Sequence, residues 1–185
     1  MLCEICSSPC FPGARGRKPR FCSGRCRVAA HRGKTFPSEL TALARWIRHK
    51  AKRPMHPAGH WISVTNPEAL SSYQVAKASR AGDGLGFVLN GDGIICIDLD
   101  HCYDGAPSAE AQALIDSLPQ TYIEISPSGT GLHIWGKGNM ETGRKFTRNG
   151  LSIEVYPNGR FITMTSNALN RAELANLDIT AIVGD

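Results

Sequence analysis

No apolar stretch in these 185 residues approaches the roughly 18–20 that a membrane-spanning helix requires, so the sequence offers no transmembrane anchor. The opening residues, Met1-Leu2-Cys3-Glu4, lack the apolar core of a secretory signal, and the expected location is the cytoplasm. Internal repeats and low-complexity tracts are missing as well. Acids are scarce in the first third. Residues 1–60 hold 13 of the 21 Lys and Arg but only Glu4 and Glu39, a formal charge of +11, against −6 over residues 61–185. A basic head on an acidic body points to a head that meets a polyanion and a body that gathers carboxylates for another purpose. The remainder is an ordinary globular composition, 42% hydrophobic and 20% charged, long enough for one packed domain and a small appendage.

Seven cysteines in a cytosolic chain indicate metal ligation or reduced thiols rather than disulfides. Cys3 and Cys6 form a Cys-x2-Cys pair, and Cys22 and Cys26 a Cys-x3-Cys pair 15 residues later, a spacing close to that of tetrahedral zinc sites. Few large apolar residues surround them, so zinc supplies the folding energy of a module over residues 1–34. Cys10 and His31 are spare donors that four cysteines make unnecessary. Arg15, Arg17, Lys18, Arg20, Arg25, Arg27, Arg32 and Lys34 are spaced to meet phosphates, while Phe11 and Phe21 are expected to plug the small core.

Residues 35–185 read as a second domain. Ser38 is placed to cap a helix over 39–50 whose apolar stripe is Leu40, Leu43, Ala44, Trp46 and Ile47, with Arg45, Arg48 and Lys50 outside. Residues 52–60 form a basic loop broken by prolines. Asn66 and Pro67 open a second helix running to about residue 81. From Gly84 the periodicity becomes that of strands: 85–89 and 94–100 as a hairpin across Asn90-Gly91-Asp92-Gly93, a helix over 106–118, strands at 121–126 and 132–136, and a second hairpin of 151–156 with 160–165. The expected fold is α+β, a mainly antiparallel sheet with helices on one side.

The chemistry concentrates where Gly93-Ile94-Ile95-Cys96-Ile97 ends in Asp98-Leu99-Asp100. Successive strand side chains alternate faces, so the two carboxylates point the same way, roughly 6–7 Å apart. Ser126-Pro127-Ser128-Gly129-Thr130-Gly131 is a glycine-rich turn that delivers His133 onto a strand, and its backbone N–H groups are free to approach phosphates. Ser152-Ile153-Glu154-Val155-Tyr156 adds a third carboxylate in alternation with apolar residues. If Asp98, Asp100 and Glu154 share one face, they hold one or two Mg2+ or Mn2+ ions.

These three motifs, in this order, resemble the primase-polymerase domain of phages and plasmids, a branch of the archaeo-eukaryotic primase superfamily; the resemblance extends over residues 40–170. It implies an RRM-like catalytic core and template-directed nucleotidyl transfer in the cytoplasm of a bacterial host, with single-stranded DNA as template and nucleoside triphosphates as substrates. It places Asp98, Asp100 and Glu154 at the catalytic metals and His133 at the incoming nucleotide's phosphates, with Ser128, Gly129, Thr130, Gly131 and Arg160 around it. Two departures stand out. The superfamily often has a serine where this chain has Gly131, and longer relatives carry a helicase domain, so unwinding is expected from a separate helicase. Two other functions fit the residues: a two-metal nuclease, and a zinc-ribbon DNA-binding replication protein with an inert acidic cluster.

Overall fold

The structure, a computed structural model, describes residues 36–184 throughout and, before them, residues 3, 9–11, 19–24 and 26. The chain divides into two compact units, Met1–Thr35 and Phe36–Asp185. In the first, the Sγ atoms of Cys3, Cys22 and Cys26 all lie within 4.8 Å of one another, and those of Cys22 and Cys26 are 3.6 Å apart. Tetrahedral thiolates at 2.3 Å from zinc would be about 3.8 Å apart, so the cluster suits that ion. Cys6 and His31 lie outside the described residues, as do most of the basic side chains between the cysteine pairs. Cys10 is buried, whereas Phe11 is 85% exposed and does not plug the core.

The second unit is α+β, built on two antiparallel sheets rather than one. After the short helix α1 (Ser38–Ala42) come β1 (Trp46–Lys50), β2 (Arg53–Met55), a 3-10 turn (Pro67–Ala69), α2 (Tyr73–Ala78), β3 (Gly84–Asn90) and β4 (Ile94–Asp100). Then follow α3 (Ala109–Ser117), β5 (Ile123–Ile125), β6 (Leu132–Lys137), β7 (Arg144–Arg148), β8 (Leu151–Tyr156), β9 (Asn158–Met164), β10 (Ala168–Asn170), β11 (Ala175–Asn176) and α4 (Ile179–Val183). One sheet has the order β2-β1-β3-β9; the other has β10-β5-β6-β4-β8-β7, with β11 added in parallel to β6. No helix among the described residues is long and apolar enough to cross a membrane.

Four sequence expectations are corrected. The helix expected over 39–50 ends at Ala42, and its second half is strand β1, paired with β2 and β3. Trp46 is fully buried, as expected of a core residue, but Arg45 is buried as well, bound to Asn90 Oδ1 at 2.5 Å and to Asp92 Oδ2 at 2.8 Å. The second helix breaks at Leu70 and Ser71, because Ser71 exchanges both backbone hydrogen bonds with Trp46. Neither expected hairpin forms. β3 lies between β1 and β9, and β4 lies between β6 and β8, so Asn90-Gly91-Asp92-Gly93 carries the chain from one sheet to the other. β8 and β9 change sheets in the same way around Pro157.

The central strands of the larger sheet, β4, β6 and β8, divide their residues between two cores. Ile95, Ile97 and Leu99 of β4, Leu132 and Ile134 of β6, and Leu151, Ile153 and Val155 of β8 share a cluster with Ala111 of α3 and Ile179 and Ile182 of α4. The alternate residues Ile94, Cys96 and Trp135 face the other way and join Trp46, Phe87 and Ile162 from the smaller sheet, together with Phe36, Tyr73 and Tyr122. Phe36 anchors this aromatic cluster, with its ring centroid 5.0 Å from Trp46 and 5.8 Å from Tyr73. The space between the sheets is therefore apolar at one end, and on the same strand faces it becomes polar at the other.

Candidate active site

At the polar end, strand register produces a row of side chains across five strands. Glu124 of β5 is opposite His133 of β6, His133 is opposite Asp98 of β4, Asp98 is opposite Glu154 of β8, and Glu154 is opposite Lys145 of β7. Directly opposed residues in antiparallel pairs share a face, with Cβ atoms about 4.5–5.5 Å apart. Asp100 sits one step further along, opposite Ser152. Asp98, Asp100, His133 and Glu154 line one cleft of about 610 Å3 with Ser128, Thr130 and Arg160. Lys52, His101, Ser126, Pro127, Tyr156, Phe161, Ile162 and Thr163 complete the lining.

Two members of the row take roles that the sequence does not assign them: Glu124 carries no site signal there, and Lys145 reads as a candidate phosphate or template contact whose default is exposed surface charge. Glu124 is fully buried, yet its carboxylate is satisfied: Oε2 accepts from the Tyr122 hydroxyl at 3.0 Å and from the Ser166 N–H at 2.9 Å. The Thr165 N–H approaches both oxygens, at 3.2 and 3.1 Å, and His133 Nδ1 faces Oε1 at 3.3 Å. A carboxylate can only accept, so this contact puts the proton on Nδ1 and turns Nε2 towards Asp98, whose Oδ1 is 3.8 Å away. Burial, and then Glu124, pushes the Tyr122 hydroxyl far above its ordinary range, which keeps it a donor. Lys145 is the second addition; its ammonium is ion-paired with Glu154 Oε1. That pairing raises the Lys145 pKa.

Asp98 carries the main electrostatic strain. Burial raises its pKa above the ordinary carboxylate value; the His133 and Lys52 charges pull it down, while Asp100 and Glu154 push it further up. Three acids on adjoining positions form a site that favours a cation. Among the described residues the three carboxylates do not converge within 4.8 Å as the cysteine sulfurs do, and Glu154 is turned to Lys145.

The glycine-rich turn lies beside the acids. Ser126 Oγ and Ser128 Oγ are 2.9 Å apart, and Ser128 Oγ and Thr130 Oγ1 are 3.0 Å apart, so the hydroxyls form a chain along the rim. Gly129 has φ +77° and open space where a side chain would stand. Gly131 has none: a Cβ there would lie 2.5 Å from the Leu99 carbonyl oxygen, so a side chain at that position would force the backbone to shift. Arg160 rests its guanidinium 3.8 Å from the centroid of the Tyr156 ring at the cleft wall.

No protein-family model matches the chain. A DNA primase-polymerase of Nitratiruptor phage NrS-1 is 34% identical to it over 159 residues, covering 77% of this chain. Over those residues the chain is similar to that phage primase-polymerase. It spans 22% of the length of that primase-polymerase. The resemblance read from the three motifs has a counterpart in similarity over 77% of the chain.

Proposed function

We propose that the cleft is the active site of a template-directed nucleotidyltransferase, a DNA primase, a DNA polymerase or both. The observation that carries this reading is the row Glu124–His133–Asp98–Glu154–Lys145 with Asp100 beside it, since it brings a histidine, three acids and a glycine-rich turn to one cleft. Asp98, Asp100 and Glu154 would hold Mg2+ or Mn2+, and the donor set fits: hard carboxylate oxygens from adjoining positions of β4 and β8 in one cleft. Bound there, the metal would ease deprotonation of a primer 3′-hydroxyl and neutralise charge on the departing pyrophosphate.

The chain's own residues bind and orient. His133, held from behind by Glu124, presents Nε2 to the cleft. The Ser128-Gly129-Thr130-Gly131 turn offers hydroxyls and backbone N–H groups to the triphosphate, and Arg160 adds fixed positive charge for its oxygens. Lys145 holds Glu154 as a cation would, and would yield that carboxylate to a bound metal.

Incubating the full chain with single-stranded DNA, nucleoside triphosphates and Mg2+ or Mn2+, with and without an annealed primer, tests the assignment. Extension of the primer supports polymerase activity, and products in the unprimed reaction support priming. Degraded template without synthesis would replace the reading with a metal-dependent nuclease. Bound but unchanged template would replace it with a DNA-binding module.

A further inference from the structure

The segment from Lys50 to Trp61 has no part in the row of acids, yet one of its residues reaches the cleft. No acid occurs between Glu39 and Glu68, whereas Arg45, Arg48, Lys50, Lys52 and Arg53 fall within that interval. β1 and β2 are joined by the two-residue turn Ala51-Lys52, and both residues are left-handed, at φ +48° and +60°. Such turns ordinarily use Asn and Gly, because most side chains disfavour that conformation. The turn is held by the Asp83 carboxylate, which accepts from the Ala51 N–H at 2.7 Å. Its effect is to set Lys52 in the cleft, near enough to pull on the Asp98 carboxyl.

Beyond β2 the chain folds back so that Trp61 bridges to Met55, and the His56 N–H donates to the His60 carbonyl at 2.8 Å. Trp61 is 45% exposed, while Trp46 and Trp135 are fully buried. The Arg53 guanidinium lies 4.3 Å from the Trp61 ring centroid, which fixes the ring beside a positive charge without covering it completely. An exposed indole on a rigid loop with flanking Lys and Arg is how proteins stack single-stranded bases while tracking the phosphates.

We propose that this hairpin and loop form the surface on which single-stranded nucleic acid lies before it enters the cleft at Lys52, with Trp61 stacking a base and Arg53, Lys50 and Lys52 meeting phosphates. The proposal rests on the functional reading above, since it supplies that reaction with its template track. The ligand class is a single strand: a stacked base is available only where bases are unpaired.

Trp61 is a built-in reporter, because the other two tryptophans are shielded. Titrating the full chain with a dye-labelled oligo-dT, and separately oligo-rU, while following both dye anisotropy and tryptophan emission tests the surface. Binding should quench the exposed component and protect it from acrylamide. Trp61→Ala should weaken binding about tenfold, with Trp61→Phe recovering much of the loss. Lys52→Gln with Arg53→Gln should flatten the dependence of log affinity on log salt by about 0.7 for each phosphate that the removed charges had neutralised. Anisotropy binding with unchanged tryptophan emission, or with wild-type affinity in Trp61→Ala, would overturn this surface and leave the nucleotidyltransferase reading standing. Absence of binding to either strand would overturn both.

Discussion

Glu124 shows how a residue with no sequence signal becomes part of a site. In Tyr122-Ile123-Glu124-Ile125 it reads as an ordinary strand glutamate, and only the register of β5 on β6 places it behind His133. Its oxygens receive donors from Tyr122, Thr165 and Ser166 as well as from the imidazole. Glu124→Gln turns one acceptor into a donor facing donors, and should cost about 1–3 kcal/mol of stability while raising the KM for the nucleotide, read by thermal melting and by steady-state kinetics. Asp98 has the opposite balance. Its folded pKa is raised, so the native state binds its proton more tightly than the unfolded state does, and stability falls as pH rises from the ordinary carboxylate value through the raised one. In metal-free buffer near neutral pH, Asp98→Asn should therefore melt higher than wild type, with the gap closing in acid. The same variant should lose the stabilisation that Mn2+ gives wild type. A lower melting temperature at neutral pH would contradict the charge accounting.

At the level of elements, the sequence told most where one strand carries its own pattern. The apolar run into Asp98 and Asp100, the strand at Leu151–Tyr156 and the turn before His133 were all legible, because alternation and glycine placement are local. Pairing is not local. Asn90-Gly91-Asp92-Gly93 does hold glycines at positive φ, but both edges of β3 and both edges of β4 are occupied by other strands, so the turn links two sheets. Trp46 and Ile47 continued the helical spacing of Leu40 and Leu43, and the edge offered by β3 outweighed it. β7, with Arg144, Lys145 and Arg148 on an edge strand, has too little apolar alternation to be read as a strand at all. The turn before His133 makes its own prediction. Gly131→Ser would force Cβ against the Leu99 carbonyl, so it should lower the melting temperature and weaken nucleotide binding in a titration. A variant that melts and binds like wild type would mean that the turn shifts without cost.

Across the whole molecule, the charge asymmetry maps onto the two units. The N-terminal unit carries the cysteine cluster and eight of the 21 Lys and Arg against the single acid Glu4, and the carboxylate row belongs to the second. Loss of zinc should unfold the first unit, visible as a metal-dependent change in protease sensitivity near the cysteines, while the second unit's melting is retained. A protein without residues 1–34 should bind single-stranded DNA more weakly and with a shallower salt dependence if the basic head contacts phosphates. Equal affinity would make that head structural.

The central claim is that the acids at the end of β4 and on β8 form a catalytic metal site for nucleotide addition. Its most direct test is template-directed incorporation of a labelled nucleotide in Mn2+ by wild type, Asp98→Asn, Asp100→Asn and Glu154→Gln, with the exposed Glu110→Gln as control. The account predicts incorporation by wild type and the control, and a loss of about a hundredfold or more in each of the other three. Full incorporation by Asp98→Asn or Asp100→Asn would contradict it.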